Sequence, residues 1–166
     1  MINLRLVRTD EKDAAMTIIN TAKAHLKAQG VDQWQKGYPD EACIEGDIAA
    51  KKAYFVVEEE AVLGYVCVDY DGEPAYNDLK GTWNTPEEYV VLHRMAFTDR
   101  ARGKGISSVV FRLVEALSIE RGVHACRVDT DGGNEKMKHI LKKNGFLYCG
   151  TVWFDNSEKI AFDKSF

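Results

Sequence analysis

The chain has 166 residues, of which 45% are hydrophobic and 29% are charged, and its formal net charge at pH 7 is −4. This composition indicates one globular domain over residues 1–166 and argues against a nucleic-acid partner, because binding to phosphates requires a basic surface. No apolar run approaches the roughly 18 residues that span a bilayer and the first residues lack a signal-peptide core, so we expect a cytoplasmic protein with no membrane partner.

Hydrophobic periodicity predicts an α/β domain of the α+β type, in which helices pack on a mixed sheet. The most apolar strand should be central and buried on both faces. A long loop over residues 72–88 separates it from the preceding hairpin, and loops of this length are often functional. The predicted strands cover residues 3–8, 53–58, 61–71, 89–97, 125–129, 146–154 and 159–163. Four helices are predicted. The first runs from Thr9-Asp10 to about Gln29, and a shorter second helix begins at Pro39-Asp40. The third runs from Ile106 to Arg121, and the fourth covers residues 134–143.

The cysteines and histidines are scattered along the chain. The four cysteines form no CxxC pair and the four histidines show neither HExxH nor HxxxH spacing. Such patterns are typical of reduced, buried thiols and of isolated imidazoles rather than of a zinc site. We therefore expect no metal ion.

A basic loop with two glycines lies between the strand over residues 89–97 and the third predicted helix. Gly103 and Gly105 have no Cβ, so the backbone can turn tightly and approach a ligand closely. Unpaired N–H groups at a helix N-terminus, with Arg102 and Lys104 beside them, favour an anion such as a pyrophosphate. The spacing matches neither the Walker A loop nor the dinucleotide-binding GxGxxG. Taken alone, the loop is also compatible with a surface turn that carries solvated charges.

Residues 102–107, Arg-Gly-Lys-Gly-Ile-Ser, resemble the Arg/Gln-x-x-Gly-x-Gly/Ala acetyl-CoA signature of the GNAT superfamily of N-acetyltransferases. A second block, over residues 134–150, is similar to the family's later motif, in which an asparagine begins a helix that ends in Gly-Phe. Both motifs occur in the family's order and spacing. The resemblance implies the GNAT-like fold, a central mixed sheet of six to seven strands flanked by about four helices, and an acetyl-CoA-dependent N-acetyltransferase.

The resemblance also implies which residues hold acetyl-CoA, the acyl donor. Its pyrophosphate would bind backbone N–H groups of residues 102–108, and its pantetheine arm would pair like an added strand with residues 95–97. Asn134 would help to hold that arm, or it would cap its helix, which asparagine does well. The implied cofactor-binding residues are Met95, Ala96, Phe97, Arg102, Gly103, Lys104, Gly105, Ile106, Ser107, Ser108 and Asn134.

The chain departs from the family pattern at two positions. Ser107 replaces a glycine or alanine, and its small side chain is compatible with cofactor binding. Leu141 stands where family members often have a tyrosine that protonates the departing CoA thiolate, and leucine donates no proton. Tyr148 is a candidate acid, with Cys149 beside it. Alternatively the thiolate, whose thiol has a pKa of about 8.5, leaves unassisted, or the protein binds acetyl-CoA without turnover.

His93 is the candidate general base. It lies on the same strand face as Met95 by period-two alternation, and its position is similar to a strand histidine of the arylalkylamine members of the family. An imidazole pKa near 6.5 suits proton removal at neutral pH. The alternative is a buried histidine whose neighbours satisfy it. Arg94 points to the other face, where we expect a carboxylate partner.

The acceptor should be recognised by aromatic residues of the variable segments, namely Trp34, Tyr38, Tyr76 and Trp83. Loop aromatics can wall an amine pocket, including by cation–π contact, or they can cover the edge of the core. The favoured function is acetylation of a small-molecule primary amine. A protein or peptide N-acetyltransferase and a non-catalytic acetyl-CoA-binding module remain alternatives, and Leu141 favours the last. The resemblance also allows a homodimer through the C-terminal strands.

Overall fold

The computed structural model describes all 166 residues. The helices are α1 Lys12–Ala28, α2 Glu41–Ala49, α3 Ile106–Glu120 and α4 Glu135–Lys143. The strands are β1 Ile2–Leu6, β2 Ala53–Glu58, β3 Ala61–Asp69, β4 Lys80–Gly81, β5 Val90–Phe97, β6 Ala125–Asp131, β7 Leu147–Phe154 and β8 Ser157–Ser165. The predicted mixed sheet with four helices is confirmed. The sheet has eight strands rather than six to seven, because the long loop contributes the two-residue β4.

The sheet has the strand order β1-β2-β3-β5-β6-β8-β7-β4. Every neighbouring pair is antiparallel except β5 and β6, which are parallel. Those two strands pair only at Val90 and Val91 of β5, opposite Cys126 and Arg127 of β6. Beyond these residues both strands continue without pairing to each other. The sheet is therefore split between the C-terminal ends of its two central strands, where ligands of α/β proteins commonly bind.

Apolar side chains fill both faces of the sheet. One cluster joins α3 residues such as Val110 and Val114 to the strands, and a second joins Ile18 and Ile19 of α1 to the opposite face. Because side chains alternate along a strand, Val56 belongs to the first cluster and its neighbours belong to the second. None of the four helices is long and apolar enough to cross a membrane.

A β-bulge distorts β5 beside the split. The pairing of β5 with β3 shifts register between Tyr65 and Cys67, and Arg94 within the bulge has a φ of 55°. A positive φ is uncommon outside glycine, so tertiary contacts must hold it. The Arg94 guanidinium donates to both carboxylate oxygens of Asp47 on α2, with Nε 2.8 Å from Oδ2, and to the Tyr38 hydroxyl at 2.7 Å. The predicted carboxylate partner of Arg94 is thus confirmed as Asp47.

We expect Asp47→Ala to lower the free energy of unfolding by about 3–5 kcal/mol, because it leaves the guanidinium of Arg94 buried without its counterion. Asp47 is 6% exposed, so water cannot replace the lost carboxylate. Urea denaturation measures the change. Asp71→Ala is the matched control, since it removes the exposed one of the two carboxylate partners of Lys52 and should cost less than about 1 kcal/mol. Equal losses in the two variants would contradict a structural role for the buried pair.

Candidate active site

The loop between β5 and α3 presents a row of free backbone donors. Gly103 and Gly105 have φ values of 74° and 69°, and Gly105 is the N-cap of α3. None of the backbone N–H groups of residues 103–108 donates a hydrogen bond within the chain. Arg102 adds a buried Nε that has no hydrogen-bond partner. Asp99 Oδ1 lies 3.8 Å from this nitrogen, beyond hydrogen-bond distance. Free N–H groups at the positive end of a helix dipole, next to a guanidinium nitrogen that donates no hydrogen bond, form a binding site for an anion.

A groove of about 340 Å³ runs from this loop to the split in the sheet. All of the predicted cofactor-binding residues line it except Lys104, which is exposed on the outside of the turn. Residues of α1 and of α4 also line it, including Lys136, His139 and Lys143 of α4. The groove therefore combines an anion site at one end, an apolar strand edge at the other, and basic side chains along one side.

Asn134 performs its predicted role as a helix cap, since its Oδ1 accepts a hydrogen bond from the backbone N–H of Met137 at 3.1 Å. Its amide also donates to Gln33 Oε1 at 2.9 Å, and Thr130 donates to the same oxygen at 3.2 Å. These bonds tie the α1–α2 connection across the split to β6 and α4. Gln33 consequently stands between the groove and a second, smaller cavity.

The second cavity, of about 80 Å³, lies inside the split between β5 and β6. Its walls include consecutive residues of β5 from Leu92 to Met95, because the bulge interrupts the strict alternation that the sequence predicted for this strand. Gln33, Trp34, Met95 and Met137 line both the cavity and the groove. A group that projects from the groove past Met95 would therefore enter the cavity.

The structure brings His93 to this cavity, as predicted, but gives it a different chemistry. The ring is 7% exposed and stacks on Phe154 with 5.8 Å between centroids. Burial and the positive charge of Arg94 lower the pKa of His93 to about 3. The imidazole is therefore neutral at pH 7 and a much weaker base than a histidine of ordinary pKa.

Asp129 of β6 faces the same cavity, and sequence reasoning missed it. Its Oδ2 accepts a hydrogen bond from the Tyr76 hydroxyl at 2.6 Å, and burial raises the pKa of Asp129 to about 6. A base with a pKa near the operating pH is well matched to proton transfer. The signal in the sequence was its place at the end of a predicted strand, but the sequence did not indicate that this strand would border the split.

Two of the four predicted substrate-binding aromatics line the cavity and two do not. Trp34 and Tyr38 line it, and the Tyr38 hydroxyl accepts from Arg94 while its own proton stays free. Tyr76 and Trp83 instead pack in a separate apolar cluster on the face of β6 that also carries Asp129, because the 72–88 segment folds back onto the sheet. The cation–π partner of Trp83 is Arg127 of the chain itself, 4.3 Å from the ring centroid.

The predicted acid Tyr148 is not at the site. It lies on β7, is 58% exposed, and lines neither the groove nor the cavity. Leu141 does line the cavity and is 1% exposed, so the tyrosine position of the family motif is filled by an apolar side chain at its expected place. No hydroxyl on α4 therefore faces the meeting point of groove and cavity.

Comparison with known proteins agrees with this geometry. Residues 19–146 match the acetyltransferase (GNAT) family. A search of curated proteins finds no match. A GNAT family acetyltransferase from Streptococcus agalactiae is 31% identical, with a TM-score of 0.88 over 99% of this chain and 95% of that chain.

Two more distant structures share the fold. A GNAT family acetyltransferase from Listeria monocytogenes is 20% identical, with a TM-score of 0.79 over 99% of this chain and 95% of that chain. The aminoglycoside acetyltransferase AAC(6')-Ib, in complex with coenzyme A and kanamycin, is 18% identical, with a TM-score of 0.70 over the same shares of the two chains.

Proposed function

The chain belongs to the GNAT acetyltransferase family, and we propose that it transfers the acetyl group of acetyl-CoA to the primary amine of a small molecule. The observation that carries this proposal is the shared wall at Met95, where the groove with its anion site meets a cavity that holds a titratable carboxylate. The cavity is far smaller than the roughly 300–1,000 Å³ of pockets that enclose drug-sized ligands. A compact amine, rather than a folded protein surface, suits it best.

In this proposal the groove holds the donor. The diphosphate of acetyl-CoA accepts hydrogen bonds from the free N–H groups of residues 103–108 and from Arg102, and its arm follows residues 95–97 toward the split. The coenzyme A complex of AAC(6')-Ib, which has the same fold, supports a donor of this chemistry. The thioester would then lie beside Met95, at the mouth of the cavity.

Asp129 is proposed as the base that receives the proton of the acceptor amine. A lysine-like amine of pKa about 10.4 must lose a proton at a cost of about 4.6 kcal/mol at pH 7. Holding amine and thioester together can contribute on the order of 7–11 kcal/mol, so a base of pKa about 6 is sufficient. The nitrogen attacks the thioester carbonyl, the C–S bond breaks, and the ammonium proton passes to the carboxylate directly or through water.

The leaving thiolate needs no dedicated acid in this scheme. A thiol pKa of about 8.5 makes the thiolate a fair leaving group, and Leu141 keeps its surroundings dry without donating a proton. The developing oxyanion would be met by a backbone N–H of β5 near Met95 or Ala96. His93, neutral at pH 7, lines the cavity as a polar side chain that can hydrogen-bond to the acceptor.

The proposal is tested by a thiol-release assay with purified protein, acetyl-CoA and a panel of amines, amino acids, polyamines and peptides. Amine-dependent release of CoA with small amines is the expected result. Turnover confined to peptides would instead support a peptide N-acetyltransferase. Tight binding of acetyl-CoA without release for any acceptor would support a non-catalytic binding module.

A further inference from the structure

The acceptor cavity contains a buried cation that the scheme above does not use. Lys159 of β8 lines the cavity and is 5% exposed. Its ammonium donates no hydrogen bond within the chain, and its ion-pair partner is Asp131, whose Oδ2 lies 3.5 Å away. An ammonium has three donors, and on a side chain this buried they need acceptors from the protein, from water or from a ligand.

We propose that the acceptor carries a carboxylate beside its amine, and that Lys159 binds this carboxylate while Asp129 receives the amine. The inference rests on the proposed function and deepens it by naming a substrate class, the compact amino acids. An amine with a nearby carboxylate presents one group of each charge. The cavity is lined by the cations Arg94 and Lys159 and by the carboxylates Asp129 and Asp155. Asp47 already binds Arg94, so Lys159 is the cation left for a ligand.

Sheet geometry places the two side chains at a suitable separation. Asp131 pairs with Lys159 and Asp129 pairs with Ala161 across β6 and β8, so Asp129 and Lys159 are diagonal neighbours on one face. Diagonal neighbours stand roughly 7–8 Å apart at the backbone, and side chains converge from there on a small ligand. The charge of Lys159 also acts on Asp129 by holding its pKa below what burial alone would produce.

The pair with Asp131 does not account for Lys159. One oxygen of Asp131 already accepts the backbone N–H of Gly133 at 2.8 Å, and the other approaches the ammonium only at the outer limit of a hydrogen bond. The other N–H groups of Lys159 have no acceptor within the chain and are open to water or to a ligand. A substrate carboxylate would supply one, whereas a polyamine would add a second cation next to the first.

The test compares matched acceptors that differ only in charge: α-, β- and γ-amino acids and their primary amides, assayed by thiol release. The wild-type protein should favour at least one acid over its amide by about tenfold or more in kcat/KM, as expected for a charge-assisted contact. Lys159→Met, which keeps the length and apolar stem of the side chain, should bring that ratio to about one, and Lys159→Arg should restore part of it.

Asp131→Asn is the control that separates binding from structure. It removes the ion partner of Lys159 and leaves the ammonium free, so the acid-to-amide ratio should be retained or increased. If Lys159 only stabilises the fold through Asp131, both variants will lose stability in thermal unfolding and neither will change the ratio. That outcome would overturn the inference.

The failure of this inference is distinct from failure of the proposed function. Wild-type turnover with equal preference for acids and amides would overturn the role of Lys159 and leave the acetyltransferase intact. Absence of turnover with every amine, while acetyl-CoA binds, would overturn both. The wild-type ratio decides the question even if Lys159→Met does not fold.

Discussion

Asp129→Asn is expected to lower kcat by about 100-fold or more, within the range that removal of a general base costs. The asparagine keeps the size of the side chain and an oxygen that can accept from Tyr76, so the cavity should retain its shape. What it removes is the capacity to take a proton. Steady-state thiol release with the best acceptor from the panel measures the effect, and calorimetry with CoA should show donor binding within about threefold of wild type.

The pH profile of kcat/KM gives a second measure of the same group. Asp129 must be ionised to accept a proton, and burial raises its pKa to about 6. The acidic limb of the profile should therefore fall below a pH of about 6 and be lost in Asp129→Asn. A base at His93 would place that limb near pH 3, since burial and Arg94 lower the pKa of that ring.

His93→Gln is the matched control, because it changes a neighbouring polar side chain of the same cavity. We expect it to reduce kcat far less than Asp129→Asn and to leave the acidic limb in place. If His93→Gln instead costs more, or if Asp129→Asn retains more than about a tenth of the wild-type kcat, the assignment of the base to Asp129 is wrong.

The contrast between these two residues shows what the sequence could not determine. Period-two alternation placed His93 with Met95 on one face of the strand and Arg94 on the other. His93 does line the cavity, but Arg94 lines it too, because the bulge interrupts the alternation. The pKa of the His93 ring, however, depends on burial and on the charge of Arg94. Arg94 lies beside that ring because a bulge distorts β5 and because Asp47 on α2 binds the guanidinium. Neither the bulge nor the contact between Asp47 and Arg94, which are 47 positions apart, can be deduced from local sequence.

The same distinction explains the aromatic residues. Trp34 and Tyr38 belong to the connection that crosses the split, and Gln33 ties it there, so their side chains reach the cavity. Tyr76 and Trp83 lie in a segment of similar composition that folds against the face of β6 that also carries Asp129, but outside the cavity. Composition identified both segments as distinctive, but only the tertiary fold decides which segment lines the cavity. Tyr76 nevertheless reaches the site indirectly, through its hydrogen bond to Asp129.

The conformation of the glycine loop was predictable because it depends on local backbone geometry. A strand, a short turn with two glycines and a helix start place several N–H groups together whatever the rest of the chain does. The structure has this arrangement, with both glycines at positive φ and the N–H groups of residues 103–108 free. The backbone geometry of this loop could thus be predicted from sequence, whereas the lining of the cavity could not.

Gly105→Val is expected to weaken CoA binding by about 100-fold or more, because a β-branched residue at a φ of 69° forces the turn to rearrange and redirects several charge-assisted donors worth roughly 1.5–3 kcal/mol each. Space is not the cause, since a Cβ at Gly105 would meet no atom within 4 Å. Isothermal titration calorimetry with CoA measures the loss.

Gly122→Val supplies the control at the other end of the same helix. Gly122 has a φ of 76° and equally open surroundings, so it should suffer a comparable backbone strain and a comparable loss of stability. It lines neither the groove nor the cavity, and CoA binding should therefore remain within about threefold of wild type. If the two variants bind CoA equally well, the free N–H groups beside Gly105 do not hold the diphosphate, and the donor must bind elsewhere on the sheet.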